Sequence, residues 1–257
     1  MRNLHCLLAM FICAYGPAQA AELAVVIDDI GYSIERGMRA INLPGPVTLA
    51  VLPFAPNTQY LARQAMLSGK DVIVHQPMEP YPADHVHAEH GTLTLEMEEH
   101  EFDRLLAASI DAVPGRIGLS NHTGSLLTQH RAPMRRVMQR LGTRGLFFLD
   151  SRTTSDTVAF DVAREIGVPA IARDVFLDHE RMPQAISREF QRAIELARRN
   201  GQALIIAHPY TASLSYLEKQ LASLPPDVRL VSAKDLIRPT VAGPPPHQDD
   251  LRISHAQ

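Results

Sequence analysis

Asp28 and Asp29 stand side by side at the end of an apolar run. Two adjacent carboxylates in such a place are costly unless a cation or a shared proton relieves them. One carboxylate and two imidazoles make a ligand set suited to Zn, Fe, Mn and similar divalent ions. His75 and His122 each follow a later apolar run, so Asp29, His75 and His122 are the candidate ligands of a divalent metal ion, with zinc first among the ions considered. Such a set leaves open positions where a bound water is acidified and a carbonyl polarised. Asp28 is then free to act as general base, and His208, ahead of Pro209, as general acid. Asp150 is expected either to orient His208 or to contact the substrate.

Each of these residues also has a plainer reading. Asp28 and Asp29 could cap a helix, His75 could be a hydrogen-bonded structural histidine, and His208-Pro209 could simply end a strand. For His122, between Asn121 and Thr123-Gly124-Ser125, the functional reading is favoured because loops at strand ends carry function. His85, His87 and His90 resemble a metal site by count alone; with no scaffold to fix their side chains they read as a solvated loop. Asp150-Ser151 and His208 supply parts of a serine triad, but the chain has no Gly-x-Ser-x-Gly elbow.

The elements that must position these groups are apolar runs of four to six residues at 23–27, 47–52, 71–74, 116–119, 146–149, 169–172, 203–207 and 228–231. Helical periodicity lies between them at 33–42, 57–69, 96–113, 131–142, 156–166, 183–200 and 213–223. Thr94 ahead of Glu96-Met97-Glu98-Glu99 reads as an acidic helix start, and Asn200-Gly201 as a helix stop. Short, fully apolar strands alternating with helices predict a parallel sheet covered by helices. The polar residues fall just past the strands: Asp28-Asp29, His75, Asn121-His122, Asp150, Arg173-Asp174 and His208. A barrel of about seven or eight strands gathers such positions on one face. An open sheet binding a dinucleotide is disfavoured, because Asp28-Asp29-Ile30-Gly31 offers one glycine and two negative charges instead of a phosphate loop.

With 46% hydrophobic residues, the 257-residue chain is too apolar to be disordered and long enough for one large domain or two small ones. A net charge of −3 supplies no basic excess for a nucleic-acid partner. The two cysteines, Cys6 and Cys13, cannot build a disulfide framework or a four-cysteine zinc site. Arg2, an apolar run at 4–15 and Ala18-Gln19-Ala20 read as a signal peptide over 1–20, cleaved after Ala20, which predicts a periplasmic or otherwise exported protein. A buried N-terminal helix is the alternative. The run is shorter than the ~20 residues a membrane span needs, and no later segment reads as transmembrane. Phe11-Ile12 ahead of Cys13 argues against a lipid anchor. A single domain is expected over 21–238, followed by a disordered tail at 239–257 that contains Pro244-Pro245-Pro246.

Six blocks in order make the chain resemble the divergent polysaccharide deacetylase family over about residues 22–238. They are Val26-Ile27-Asp28-Asp29-Ile30-Gly31, His75-Gln76-Pro77-Met78-Glu79-Pro80, Ser120-Asn121-His122-Thr123-Gly124-Ser125, Phe147-Phe148-Leu149-Asp150-Ser151-Arg152-Thr153, Arg173-Asp174-Val175-Phe176-Leu177-Asp178 and Ala207-His208-Pro209. The resemblance implies an α/β fold, a distorted (β/α) barrel of about seven strands of the NodB-like deacetylase type. It also implies removal of acetyl groups from a cell-wall or extracellular polysaccharide, with peptidoglycan among the candidate partners. In the wider superfamily an Asp-Asp pair supplies base and metal ligand, which maps onto Asp28 and Asp29, and a late catalytic histidine maps onto His208. Its second motif has another histidine four residues after the first, where this chain has Leu126; His75 is expected to replace it. The superfamily's Arg-Pro-Tyr motif has no match, with Arg152 or Arg173 as stand-ins. Asn121, Ser125, Arg173, Asp174 and Tyr210 are the expected substrate contacts, and Tyr32 and Tyr81 could stack on sugars. Leu126 favours a rival reading, a non-catalytic glycan-binding or envelope-assembly protein. Hydrolysis of a different amide or ester is a third.

Overall fold

Along β1 (Ala21–Ile30) the side chains alternate between two separate cores. Leu23, Val25 and Ile27 pack with helix residues such as Ile41, Leu61 and Ile194, while Ala24 and Val26 pack with Ala50, Ile73, Leu149, Leu204 and Ile206. Period-two alternation between two buried faces is what a strand in a closed, helix-covered wall requires. The computed structural model, which describes residues 20–82 and 89–237, builds that wall from parallel strands alone.

Most of the strands are followed by a helix that covers the outside. After β1 come α1 (Ile34–Ile41), β2 (Thr48–Val51), α2 (Thr58–Leu67), β3 (Asp71–Met78), α3 (Glu99–Ala112), β4 (Arg116–Thr123) and α4 (Arg131–Gly142). Then follow β5 (Phe147–Asp150), α5 (Ala159–Ile166), β6 (Ala170–Ala172), β7 (Val175–Phe176), α6 (Pro183–Asn200), β8 (Gln202–Ala207), α7 (Thr211–Gln220) and β9 (Val228–Val231). The wall runs β6-β5-β4-β3-β2-β1-β8-β7, eight strands where about seven were expected, and β9 joins β1 beside the start of β2. Its two ends, β6 and β7, are joined by Arg173 and Asp174 alone. Arg173 N–H donates to Asp150 O and Asp174 N–H to Leu204 O, so the chain itself bridges the seam of this curled barrel.

The expected helices form within a few residues of their predicted bounds. Thr94 is not the start of α3, which begins after Glu98, whereas Gly201 does end α6 in the left-handed conformation, at φ 83°. β1, β3 and β4 run further than expected, so that Asp28, His75, Asn121 and His122 lie inside the C-terminal halves of strands and are not the first residues of loops. β7 has no counterpart in the sequence reading, because two residues carry no periodicity. The tail at 239–257, all of the expected signal peptide except Ala20, and two of the three loop histidines, His85 and His87, lie outside the described residues. Among the described residues no helix is long and apolar enough to cross a membrane.

The inward face explains where chemistry can occur. Ala24 and Val26 are followed on the same face by Asp28, Ile73 by His75, and Leu204 and Ile206 by His208. The barrel interior is therefore apolar from its floor, where Val231 and Leu236 sit, up to a last layer of ionisable side chains at the C-terminal strand ends.

Candidate metal centre

A regular strand would point Asp28 and Asp29 to opposite faces. β1 avoids this with a bulge: Ile27 pairs with Leu49 and Ile30 with Val51, so the two aspartates oppose the single residue Ala50. Asp29 takes the left-handed conformation, φ 57°, a local cost on the order of 1 kcal/mol for a residue with a side chain. The result is that both carboxylates meet one imidazole. His75 Nε2 lies 3.5 Å from Asp28 Oδ2 and 3.3 Å from Asp29 Oδ1. His122 Nδ1 lies 2.9 Å from Asp29 Oδ1 and 3.1 Å from His75 Nε2.

Asp29, His75 and His122 each offer a ligand atom within 4.8 Å of the others, the three residues expected from the sequence. Their donor chemistry fits a divalent ion. Glu89 Oε2 lies 3.0 Å from His122 Nε2, and Ser120 Oγ lies 2.8 Å from His75 Nδ1. With the outer nitrogens so engaged, the inner ones are the atoms left to turn lone pairs toward an ion beside the Asp29 carboxylate once any proton they hold is displaced. Asp28 Oδ1 and Asp29 Oδ1 are buried without a well-formed hydrogen bond, although His122 Nδ1 is close to the latter.

The electrostatics follow from burial and neighbours. Burial pushes the Asp28 carboxyl up, against the opposing pull of His75 and His208. Burial works the same way on Asp29, but there His122 and His75 prevail and hold it well below the usual carboxylate range. Burial opposes charge on His122, yet Asp29 and Glu89 outweigh it and raise the ring to about 10. Burial likewise opposes charge on His208, while Asp178 and Asp28 raise it.

His208 Nε2 faces Asp29 Oδ2 at 3.8 Å, and its Nδ1 lies 2.8 Å from Asp178 Oδ1. Asp178 also accepts from the His208 backbone N–H at 2.8 Å and the Ser213 hydroxyl at 2.6 Å. Asp178, and not Asp150, is therefore the carboxylate that orients His208. Asp150 accepts from Arg152 N–H at 2.8 Å and Thr157 Oγ1 at 2.9 Å, which organises the loop after β5. The expected substrate contacts divide. Asn121 ties Ser151 N–H and Thr123 O together, Ser125 Oγ accepts from Tyr81 N–H, and Asp174 Oδ2 accepts from Leu204 N–H. Arg173 donates to Ser151 O and Arg152 O and lies over the Phe176 ring. Tyr210 lines, with Tyr32, Arg36 and Asp29, a cavity of about 160 Å³ beside the centre, and Arg173 lies near enough to Asp28 to feel its charge.

Sequence reasoning missed Asp178, Ser120 and Glu89. Asp178 had a signal, since it lies two residues beyond Phe176 on the inward face; Glu89 had none in its polar loop.

Residues 25–237 match the family described as divergent polysaccharide deacetylase. The chain is 38% identical over 229 residues to the uncharacterized protein YibQ of Escherichia coli (strain K12), covering 89% of this chain and 71% of that one. An uncharacterized protein of Haemophilus influenzae is 35% identical over 225 residues, with 88% and 80% covered. The crystal structure of the uncharacterized protein ATU2773 from Agrobacterium tumefaciens C58 has the same fold, with a TM-score of 0.80 and 25% identity over 87% of this chain and 92% of that one.

Proposed function

Because the chain belongs to the divergent polysaccharide deacetylase family, we propose that it is a metal-dependent hydrolase removing acetyl groups from a cell-wall or other extracellular polysaccharide. The observation that carries this reading is the convergence of Asp29, His75 and His122 beside a buried carboxylate, Asp28, and an Asp178-oriented imidazole, His208.

A divalent ion held by Asp29, His75 and His122, with zinc favoured by the two imidazoles, would supply Lewis acidity toward an acyl carbonyl and a water. Asp28 takes a proton from the attacking water, and its burial makes it a stronger base than a solvated carboxylate. The water oxygen bonds to the acyl carbon, and the bond from that carbon to the sugar nitrogen or oxygen breaks. His208 Nε2 delivers a proton to the departing atom, leaving acetate and a free amine or hydroxyl. Asp178 keeps that ring oriented and favours its protonated form. Leu126 weakens the case only while the ligand set is short of a histidine, and His75 lies within the set.

Export supports an extracellular substrate: Arg2, the apolar run 4–15 and Ala18-Gln19-Ala20 have the form of a cleaved leader. Cell fractionation checks this, with the protein expected in the periplasm. The activity test is acetate release from acetylated chitooligosaccharide, xylan and peptidoglycan by zinc-loaded protein. Asp28→Asn should lower release about 10²- to 10⁴-fold while retaining zinc, and Asp29→Ala should lose both. Stoichiometric zinc with no acetate released from any of the three overturns the reading in favour of a binding protein.

A further inference from the structure

Of the three histidines in the loop after β3, His90 is described, and its ring packs edge-on against Phe54, 5.1 Å between centroids. The residue of that loop that reaches the metal centre is the carboxylate beside it, Glu89. Its Oε2 lies 3.0 Å from His122 Nε2, and its Oε1 accepts from the Tyr32 hydroxyl. Both oxygens are thus occupied, one by a residue of β4 and the other by a residue of the loop after β1.

Glu89 does not depend on a solvated tether. Thr92 Oγ1 donates to Glu89 O at 2.6 Å, and the buried Gln76 amide donates to Gly91 O at 2.9 Å. Leu93 N–H donates to Pro77 O at 2.9 Å, which stitches the returning chain onto β3. Gly91 sits at φ 91° against the Phe54 ring, where a Cβ would come within 2.4 Å. The stretch from Glu89 to Leu93 is therefore held by backbone contacts to β3 and to Phe54, although His90 itself is exposed, as a solvated loop predicts.

The geometry points to Glu89 as a positioning residue of the metal centre: it takes the Nε2 proton of His122 and holds the ring with Nδ1 aimed at Asp29 and His75. A histidine can bind an ion through only one of its nitrogens, and the acceptor at the other selects the tautomer and the ring plane. Tyr32, by donating to the second oxygen, fixes which edge of the Glu89 carboxylate faces the ring. This rests on the reading of Asp29, His75 and His122 as a metal site.

The test is the Zn²⁺ dissociation constant of the purified protein, measured by chelator competition for wild type, Glu89→Ala, Glu89→Gln and Tyr32→Phe. Glu89→Ala is expected to weaken binding about 10- to 100-fold. Glu89→Gln retains an acceptor oxygen and should recover part of that loss, and Tyr32→Phe should weaken binding by a smaller factor. The thermal midpoints of the metal-free proteins separate this from a general loss of structure. Zinc affinity unchanged in a folded Glu89→Ala protein overturns the assignment and leaves the site itself standing. A wild-type protein that binds no Zn²⁺ overturns both.

Discussion

His122 carries the clearest consequence at the scale of single residues. In the metal-free protein burial opposes its charge, but Asp29 and Glu89 raise it to about 10, so near neutrality the ring holds both protons. A metal ion can use Nδ1 only by displacing one of them. Asp29, held well below the usual range, has no proton to lose at that pH. Zinc affinity should therefore rise with pH, by about tenfold per unit, until pH about 10. Dissociation constants measured between about pH 6 and about pH 8 check this, and an affinity independent of pH would contradict it. The residues of this centre were legible to different degrees. Asp28, Asp29, His75, His122 and His208 announced themselves because ionisable side chains end apolar runs, a juxtaposition that burial makes expensive. Glu89 did not, because its role depends on partners far away in sequence, His122 on β4 and Tyr32 after β1, and Asp178 carried only the weaker signal of lying two residues beyond Phe176 on the inward face.

At the scale of elements, β1 must do what a regular strand cannot and turn consecutive aspartates toward one histidine. Its bulge opposite Ala50 achieves this, and nothing in the sequence beyond the Asp-Asp pair itself indicates it. The strand ends were read as too short for a related reason. Asp28, His75 and His122 look like loop residues by composition, yet they continue the inward alternation because the barrel mouth shelters them. Close packing of the wall sets further demands. Gly118 in β4 pairs with Phe147 in β5, and a Cβ there would lie 2.7 Å from the Phe147 ring. Neither backbone can retreat without breaking the ladder. Gly118→Ala should therefore destabilise the protein by about 1–3 kcal/mol, read as a lower urea midpoint with an unchanged slope. A variant as stable as wild type would mean that the ring moves aside freely.

For the molecule as a whole, the apolar barrel interior ends at a charged layer in which Asp28 Oδ1 is buried without a hydrogen bond and Asp29 Oδ1 meets only the imidazoles of His75 and His122. An ion that binds only the folded chain adds its binding free energy to stability, about 2.7 kcal/mol when free ion stands at ~100 times its dissociation constant. For a domain of this size that corresponds to a rise in thermal midpoint on the order of 5–10 °C. The pH dependence of this difference has a definite sign. In the metal-free protein the folded His122 value, about 10, lies above its ordinary 6.5. The stability it contributes is complete below about 6.5 and is lost as pH rises through about 10. Over the same interval the proton ceases to compete with the ion. The gap in thermal midpoint between zinc-loaded and chelated protein should therefore widen from about pH 6.5 upward, and should vanish in Asp29→Ala at every pH. Scanning calorimetry of the two forms across that range checks both statements. A gap that narrows with rising pH would mean that the ion is held by groups other than this cluster.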